Sequence, residues 1–316
     1  MKDVKALLLL TSLLVATLAY GQSAKSSAVG DNTWLGPGLV TAEKTISPNG
    51  RYAIVVDKDG SSESQLADVI EHRLLGKIPG TDYWAYGNRH LNAWWAADSS
   101  WCAAVHYNRL GFDECVVIEP HGDSFGATEI GKQIHDALEA GIQKQSHDPG
   151  PDRGEGLCVR PRQDRTLLVR AFGTTNPKGM EGGKTYESFL SGSYDVATNK
   201  WAKLNVRPLD PKVNIGASLE WPDEELVRVI PRNAPWPADF NGEVVRSEEE
   251  RAKVLDRLLN ETYAAVRFVE PPARFARIKE EQKAWLARWQ QQKSQQEKNA
   301  MTDARVHQLR AILWEE

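Results

Sequence analysis

The composition of this chain changes sharply near residue 245, and that change constrains the fold more than any single motif. Before it lie nearly all the glycines and prolines, with short β-branched and aromatic runs between turn signals. That is the pattern of an all-β region. After it come long stretches of Glu, Lys, Arg, Gln, Ala and Leu, interrupted by Pro271-Pro272 and by the glutamine-rich joint QQQKSQQEKNA. Those residues lose little side-chain freedom in a helix, so the second part reads as helical. The proline-rich stretch IPRNAPWPADFNGE, Ile230 to Glu243, is the natural boundary, because proline removes a backbone donor and resists continuing either element.

Within the β part a phrase recurs. TISPNGRYAIVV turns at Asn49-Gly50 into an apolar strand, and AWWAADSSWCAAV repeats this with a turn at Asp98-Ser99. Weaker echoes follow at Gln163-Asp164 and Asp223-Glu224. The echoes are roughly 50 to 65 residues apart, close to a four-stranded blade with loop insertions. Asn-Gly and Asp-Ser suit tight reversals, because they tolerate positive φ or cap the turn with a side chain. A stack of blades and a sandwich both satisfy this pattern. Thr198-Asn199 predicts a further hairpin, and Ile130, Ile134, Leu138 and Ile142 mark an amphipathic helical insertion near 130–145.

In the helical part, Ser247 and Glu250 form a capping-box pattern, and Leu255, Leu258, Leu259, Tyr263 and Val266 line one face of a first helix. Phe275, Ile278, Gln282, Trp285 and Trp289 line a second. Thr302-Asp303 is the expected cap of a third helix, Thr302 to Trp314, with Val306, Leu309 and Leu313 inward. Trp285 is then the largest side chain of a three-helix core.

At the N-terminus, Lys2 and Lys5 precede the apolar run ALLLLTSLLVATLAY, and Ala19 and Gly21 stand at −3 and −1 of a cut before Gln22. This predicts a secretory signal peptide over 1–21, an exported mature chain and no membrane span after cleavage, since the run falls short of the roughly twenty residues that cross a bilayer. The net charge of −4 argues against nucleic acid as a partner. Cys102, Cys115 and Cys158 are too few for a disulfide scaffold. Either Cys102 bonds Cys115 across a hairpin or all three remain thiols.

The apparent catalytic motifs are thin. Gly122-Asp123-Ser124-Phe125-Gly126 matches G-x-S-x-G and stands between a strand and a helix, which makes Ser124 the candidate nucleophile of a hydrolase; a Gly-rich hairpin turn explains it equally. Gly183-Lys184-Thr185 ends like a phosphate loop, but Lys178 occupies the place of the required first glycine. The histidines form no zinc-binding spacing; His121 and Asp123 lack further ligands nearby. Exposed Trp84, Trp94 or Trp95 would offer a platform for carbohydrate or peptide.

LLNETY, KEEQKAWLARW and MTDARVHQLRAIL, in this order, resemble the lysozyme inhibitor LprI-like domain over about Ser247 to Leu313. The residues carrying the resemblance are Leu259, Asn260 and Tyr263, then Gln282, Ala284, Trp285 and Leu286, then Arg305 and Leu309. The family's usual Tyr-Arg-Asp-Cys continuation is replaced by Arg288-Trp289-Gln290, so its stapling disulfide is missing. The β part resembles, more loosely, propeller repeats of the TolB and WD type. The expectation is therefore an α+β multidomain chain: a signal peptide over 1–21, a propeller-like or sandwich-like β domain over 22–235, a linker over 236–246 and a small helical domain over 247–316. The resemblance implies an exported, non-enzymatic protein without cofactor or metal, which binds a lysozyme or another envelope protein. Asn260, Gln282 and Arg305 would then either contact the partner or satisfy one another between helices.

Overall fold

The computed structural model describes residues 32–314 except 37, 43, 58–63, 81–89, 108–113, 148–151, 176–183, 211–212, 220–224, 236 and 238–241. The signal-peptide expectation, Trp84, the turn at Asp223-Glu224 and most of the phosphate-loop look-alike lie outside the described residues.

Three four-stranded antiparallel meanders follow one another. The first contains β1 (Leu39–Thr41), β2 (Tyr52–Asp57), β3 (Gln65–Asp68) and β4 (Arg73–Lys77). The second contains β5 (His90–Trp95), β6 (Cys102–Tyr107), β7 (Glu114–His121) and β8 (Ser124–Glu129), and is followed by α1 (Gly131–Gln143). The third contains β9 (Asp152–Pro161), β10 (Thr166–Thr175), β11 (Glu187–Asp195) and β12 (Lys200–Pro208). A single helical turn, α2 (Ile215–Ser218), leads on to β13 (Val227–Val229) and β14 (Glu243–Val245). This last pair is parallel, so the fourth phrase starts no fourth meander. The two strands run in the same direction, with the proline-rich stretch between them in the sequence.

The three sheets stack because both faces of their middle strands are apolar, and successive residues of a strand point to opposite faces. In β6, Cys102 and Ala104 join Tyr52, Ile54 and Leu66 in a core between the first and second sheets. Their neighbours Ala103 and Val105 join Leu167, Val169 and Ala171, with Ile134 and Leu138 of α1, in a core involving the second and third sheets. In β10, Leu168 turns the other way, into a core shared with the C-terminal helices. The same alternation rules out the cystine: Cys102 belongs to one intersheet core and Cys115 to the other, and all three cysteines are free thiols.

The turn chemistry repeats with the sheets. Asn49, Asp98 and Asp164 each accept, through Oδ1, the backbone N–H two residues on, from Arg51 at 3.0 Å, Ser100 at 3.0 Å and Thr166 at 3.2 Å. The residue after each is left-handed: Gly50 at φ +72°, Ser99 at +62° and Arg165 at +62°. The third repeat thus turns at Asp164-Arg165, one residue beyond the expected Gln163-Asp164, because the side-chain acceptor and not the preceding amide sets the register. Neighbouring repeats are also bonded directly. The Asn49 N–H donates to Ser99 Oγ at 3.1 Å, and the Trp95 indole donates to the Thr45 carbonyl at 2.8 Å. Arg73 pairs with Asp123 at 2.7 Å, and Arg165 of the third repeat pairs with Glu119 of the second.

The outer face of the third sheet is closed by helices: α3 (Glu248–Val269), α4 (Pro272–Gln290) and α5 (Gln295–Leu313). Ser247 caps α3 by accepting the Glu250 N–H at 3.2 Å. Helix α5 starts seven residues earlier than the expected Thr302, at a full capping box of Ser294 and Glu297. This box satisfies two orphan donors at once, so it outcompetes the Thr302-Asp303 signal. Thr302 sits in mid-helix instead, where its hydroxyl donates to the Lys298 carbonyl at 2.8 Å and accepts from the Trp289 indole at 3.1 Å. Trp285 is 6% exposed, within one apolar core that runs from Leu168 and Phe189 of the third sheet through Leu259 and Val306 to Leu313 and Trp314.

A candidate partner-binding surface on the helical face

The residues that carry the family resemblance divide into two groups. Leu259, Trp285 and Leu309 are buried in the common core, and the Tyr263 ring lies 5.3 Å from that of Phe275 across the α3–α4 seam. Gln282 Oε1 accepts from Arg305 Nε at 2.8 Å, and Gln308 Oε1 accepts from Arg305 Nη1 at 3.2 Å. The Glu281 carboxylate stands 4.0 Å from Arg305 Nη2. The expected polar pairing between helices therefore exists for Gln282 and Arg305. Asn260 does not join it and faces solvent, as does Leu286, which is 41% exposed.

Burial pushes the Arg305 guanidinium below its ordinary value, against the opposite pull of Glu281 and Tyr263. Burial raises the Tyr263 phenol, while Arg267, Arg305 and Lys283 pull it down. A desolvated cation needs acceptors, and the two glutamines supply them to Nε and Nη1 of Arg305, while Nη2 has the Glu281 carboxylate at 4.0 Å and no hydrogen bond. Together these residues lock α4 onto α3 and α5 while leaving its outward side to solvent. No bond-making step follows from this set. It can present a rigid helical face.

The other candidate sites resolve into structural elements. Ser124 opens β8 directly after the Gly122-Asp123 reversal, with Gly122 at φ +61° and the Ser124 hydroxyl donating to the His121 carbonyl at 3.4 Å. This is a β-hairpin turn, whereas a nucleophile elbow joins a strand to a helix. Trp94 packs against the core between the second and third sheets; Trp95 packs against the other intersheet core, stacked 6.0 Å from Tyr52. Neither indole is laid out as an exposed platform. Among the described residues no cluster of three or more His, Cys, Asp or Glu is arranged to hold a metal ion, and no helix is long and apolar enough to cross a membrane.

Buried Arg310 of α5, buried Arg170 and half-buried Arg207 are not marked by any of the motifs above, and the last two lie on the third sheet. Arg170, inside the apolar run TLLVRAF, donates from Nε to the Leu313 carbonyl at 3.3 Å and lies 5.7 Å from the centre of the Trp314 ring. Arg207 of β12 lies 4.2 Å over the Phe268 ring of α3, and burial lowers its pKa. Both tie the third sheet to the helices. The available signal was an arginine at an inward register position of a strand.

No family model matches the chain, the helical segment included, and no curated protein does. A solved structure, the crystal structure of TolB from Acinetobacter baumannii, is similar at a TM-score of 0.22 and 11% identity, over 55% of this chain and 43% of that one. The chain thus spans less than half of that protein's length. The blade-like description rests on strand order and turn geometry alone.

Proposed function

We propose that this is an exported, non-enzymatic protein-binding protein of the cell envelope, which engages its partner through the helical face. The observation that carries this reading is the division of the motif residues. The buried ones lock the helices together, while Leu286 is left 41% exposed at the edge of an inner stripe in which Ile278 and Trp285 are buried. An amphipathic helix held this way offers anchors at helical spacing to a protein surface. The resemblance of Ser247 to Leu313 to the LprI-like domain supports a lysozyme as the first partner to test, and the N-terminal leader pattern supports export.

The test is direct. Purified protein is added to a lysozyme turnover assay at increasing molar excess, and binding is followed in parallel by calorimetry. Inhibition with saturable binding is expected. Unchanged turnover with no heat of binding removes the lysozyme assignment, and failure to retain any envelope protein in a pull-down removes the protein-binding reading itself.

A further inference from the structure

The two ends of the stack of sheets are closed unequally. At one end α3, α4 and α5 cover the third sheet. At the other, the face of the first sheet turned away from the second is covered by one 3-10 turn, Asn32–Leu35. The strand registers define that face. Ala53 lies opposite Ala67 and Ala67 opposite Leu74, while Thr41 lies opposite Val55 and Val55 opposite Gln65. Residues directly opposite one another in an antiparallel pair share a face, and their chain neighbours take the other. The neighbours Tyr52, Ile54, Leu66 and Leu75 do belong to the core with the second sheet. Ala53 and Ala67 are 0% exposed and Val55 1%.

Among the described residues, Val55 and Ala67 share their cluster with Leu35, which is buried, and with half-buried Trp34 and Leu39. The Trp34 ring is stacked on that of His72, with 5.3 Å between centres and 12° between planes. The 3-10 turn is thus seated on β2 and β3 through Leu35 and on the β3–β4 turn through Trp34. The seal is incomplete: Leu74, on the same face, is 38% exposed, and Ile70, in the same turn as His72, is 62% exposed. A stack of repeats needs a cap at each end, because a bare terminal face is as apolar as the faces that close on one another inside.

We infer that the turn Asn32–Leu35 is the terminal cap of the stack and keeps a second copy of this chain from packing on the first sheet. A second copy is the fitting occupant because the face under the turn is built of aliphatic residues, as are the faces by which the first and second sheets already close on each other, Ile54 and Leu66 with Ala104 and Val116. The outer face of the third sheet is filled by helices, so the contact pairs the first-sheet faces of two copies. Such a contact is isologous and closes at a dimer. The device is independent of the protein-binding reading above, which concerns the helical face.

The test measures the molar mass of the purified protein by light scattering after size exclusion, over a range of concentrations. As concentration rises, Trp34→Ala/Leu35→Ala reaches twice the mass of the wild type. Adding Leu74→Lys, which sets a charge on the bared face, returns it to the wild-type value. Adding Leu204→Lys instead, at a leucine 43% exposed on β12 of the third sheet, does not. Trp34→Ala alone leaves Leu35 in place and gives a smaller dimer fraction; it carries the test if circular dichroism shows the double variant unfolded. Unchanged mass in the variants that fold overturns the inference, as do open-ended aggregates or equal rescue by both lysines.

Discussion

The stacked sheets and the helical face solve the same problem of burying apolar surface by different means. Each sheet has two apolar faces and is closed by its neighbour, so the first and second sheets meet as equivalent units, joined turn to turn by the Asn49–Ser99 bond. Among the described residues no fourth meander lies beyond the third sheet. Its outer face is closed by helices, which must match a pleated surface with stripes of unlike spacing. The match is completed by long polar side chains, Arg170 reaching Leu313 and Arg207 lying on Phe268. Repeated turn contacts thus join like to like, and Arg170 and Arg207 join the third sheet to the unlike helices.

The largest expected effect comes from Trp285→Ala, which removes a buried indole and leaves a cavity, at a cost of about 3–5 kcal/mol. Because the core is continuous from Leu168 to Leu313, thermal unfolding of the wild type and the variant should each show one transition, with the variant's lower. Two separated transitions in calorimetry would break the comparison by showing that the helices melt without the sheets.

Next comes Arg170→Met, which keeps the aliphatic stem and loses the bonds to the carbonyls of Leu313, Val169 and Gly192. The expected loss is roughly 1.5–3 kcal/mol, with faster amide exchange confined to the last turn of α5. Unchanged exchange there would mean that apolar packing alone seats the helix.

Gly141→Ala tests the packing of α1 on the third sheet. A Cβ at this position would come within 2.5 Å of Val206 Cγ1 and 2.8 Å of Ser188 Oγ. Overpacking of about 1–3 kcal/mol opposes a helical gain of about 0.5–1 kcal/mol, so a modest net loss is expected in urea melts. A stabilised variant would show that α1 can lift from the sheet at little cost.

The smallest effect is Ser294→Ala, about 1 kcal/mol from the lost cap of α5. The Ser294 N–H and hydroxyl hold the Glu297 carboxyl below its ordinary range. A depressed folded-state pKa means that this part of the stability is present above the ordinary carboxylate range and is lost as pH falls through the lower, folded value. The wild-type advantage over Ser294→Ala should accordingly shrink in acid and be constant at neutral pH, as read from paired melts.

Several elements were legible because their signals are local. The Asx turns at Asn49 and Asp98, the period-2 strands behind them, the isoleucine ladder of α1 and the stripe of α4 each depend on residues a few positions apart. The Gln282–Arg305 pairing was foreseeable because the two residues lie on inward faces of adjacent helices. Asn260 was not separable from them by type, and its exposure follows from where α3 meets its neighbours. The misplaced start of α5 is a contest between two local caps, which the sequence displays without ranking.

Sequence alone thus determined where strands give way to helices, which residues turn the chain and which stripes must be covered, because backbone propensity and side-chain period act over a few residues. Tertiary structure alone decided that Cys102 and Cys115 serve different cores, that the fourth phrase builds a parallel pair, that helices close the third sheet and that Leu286 stays outward. Those outcomes depend on which surfaces meet, and that choice is made by burial summed over residues far apart in the chain.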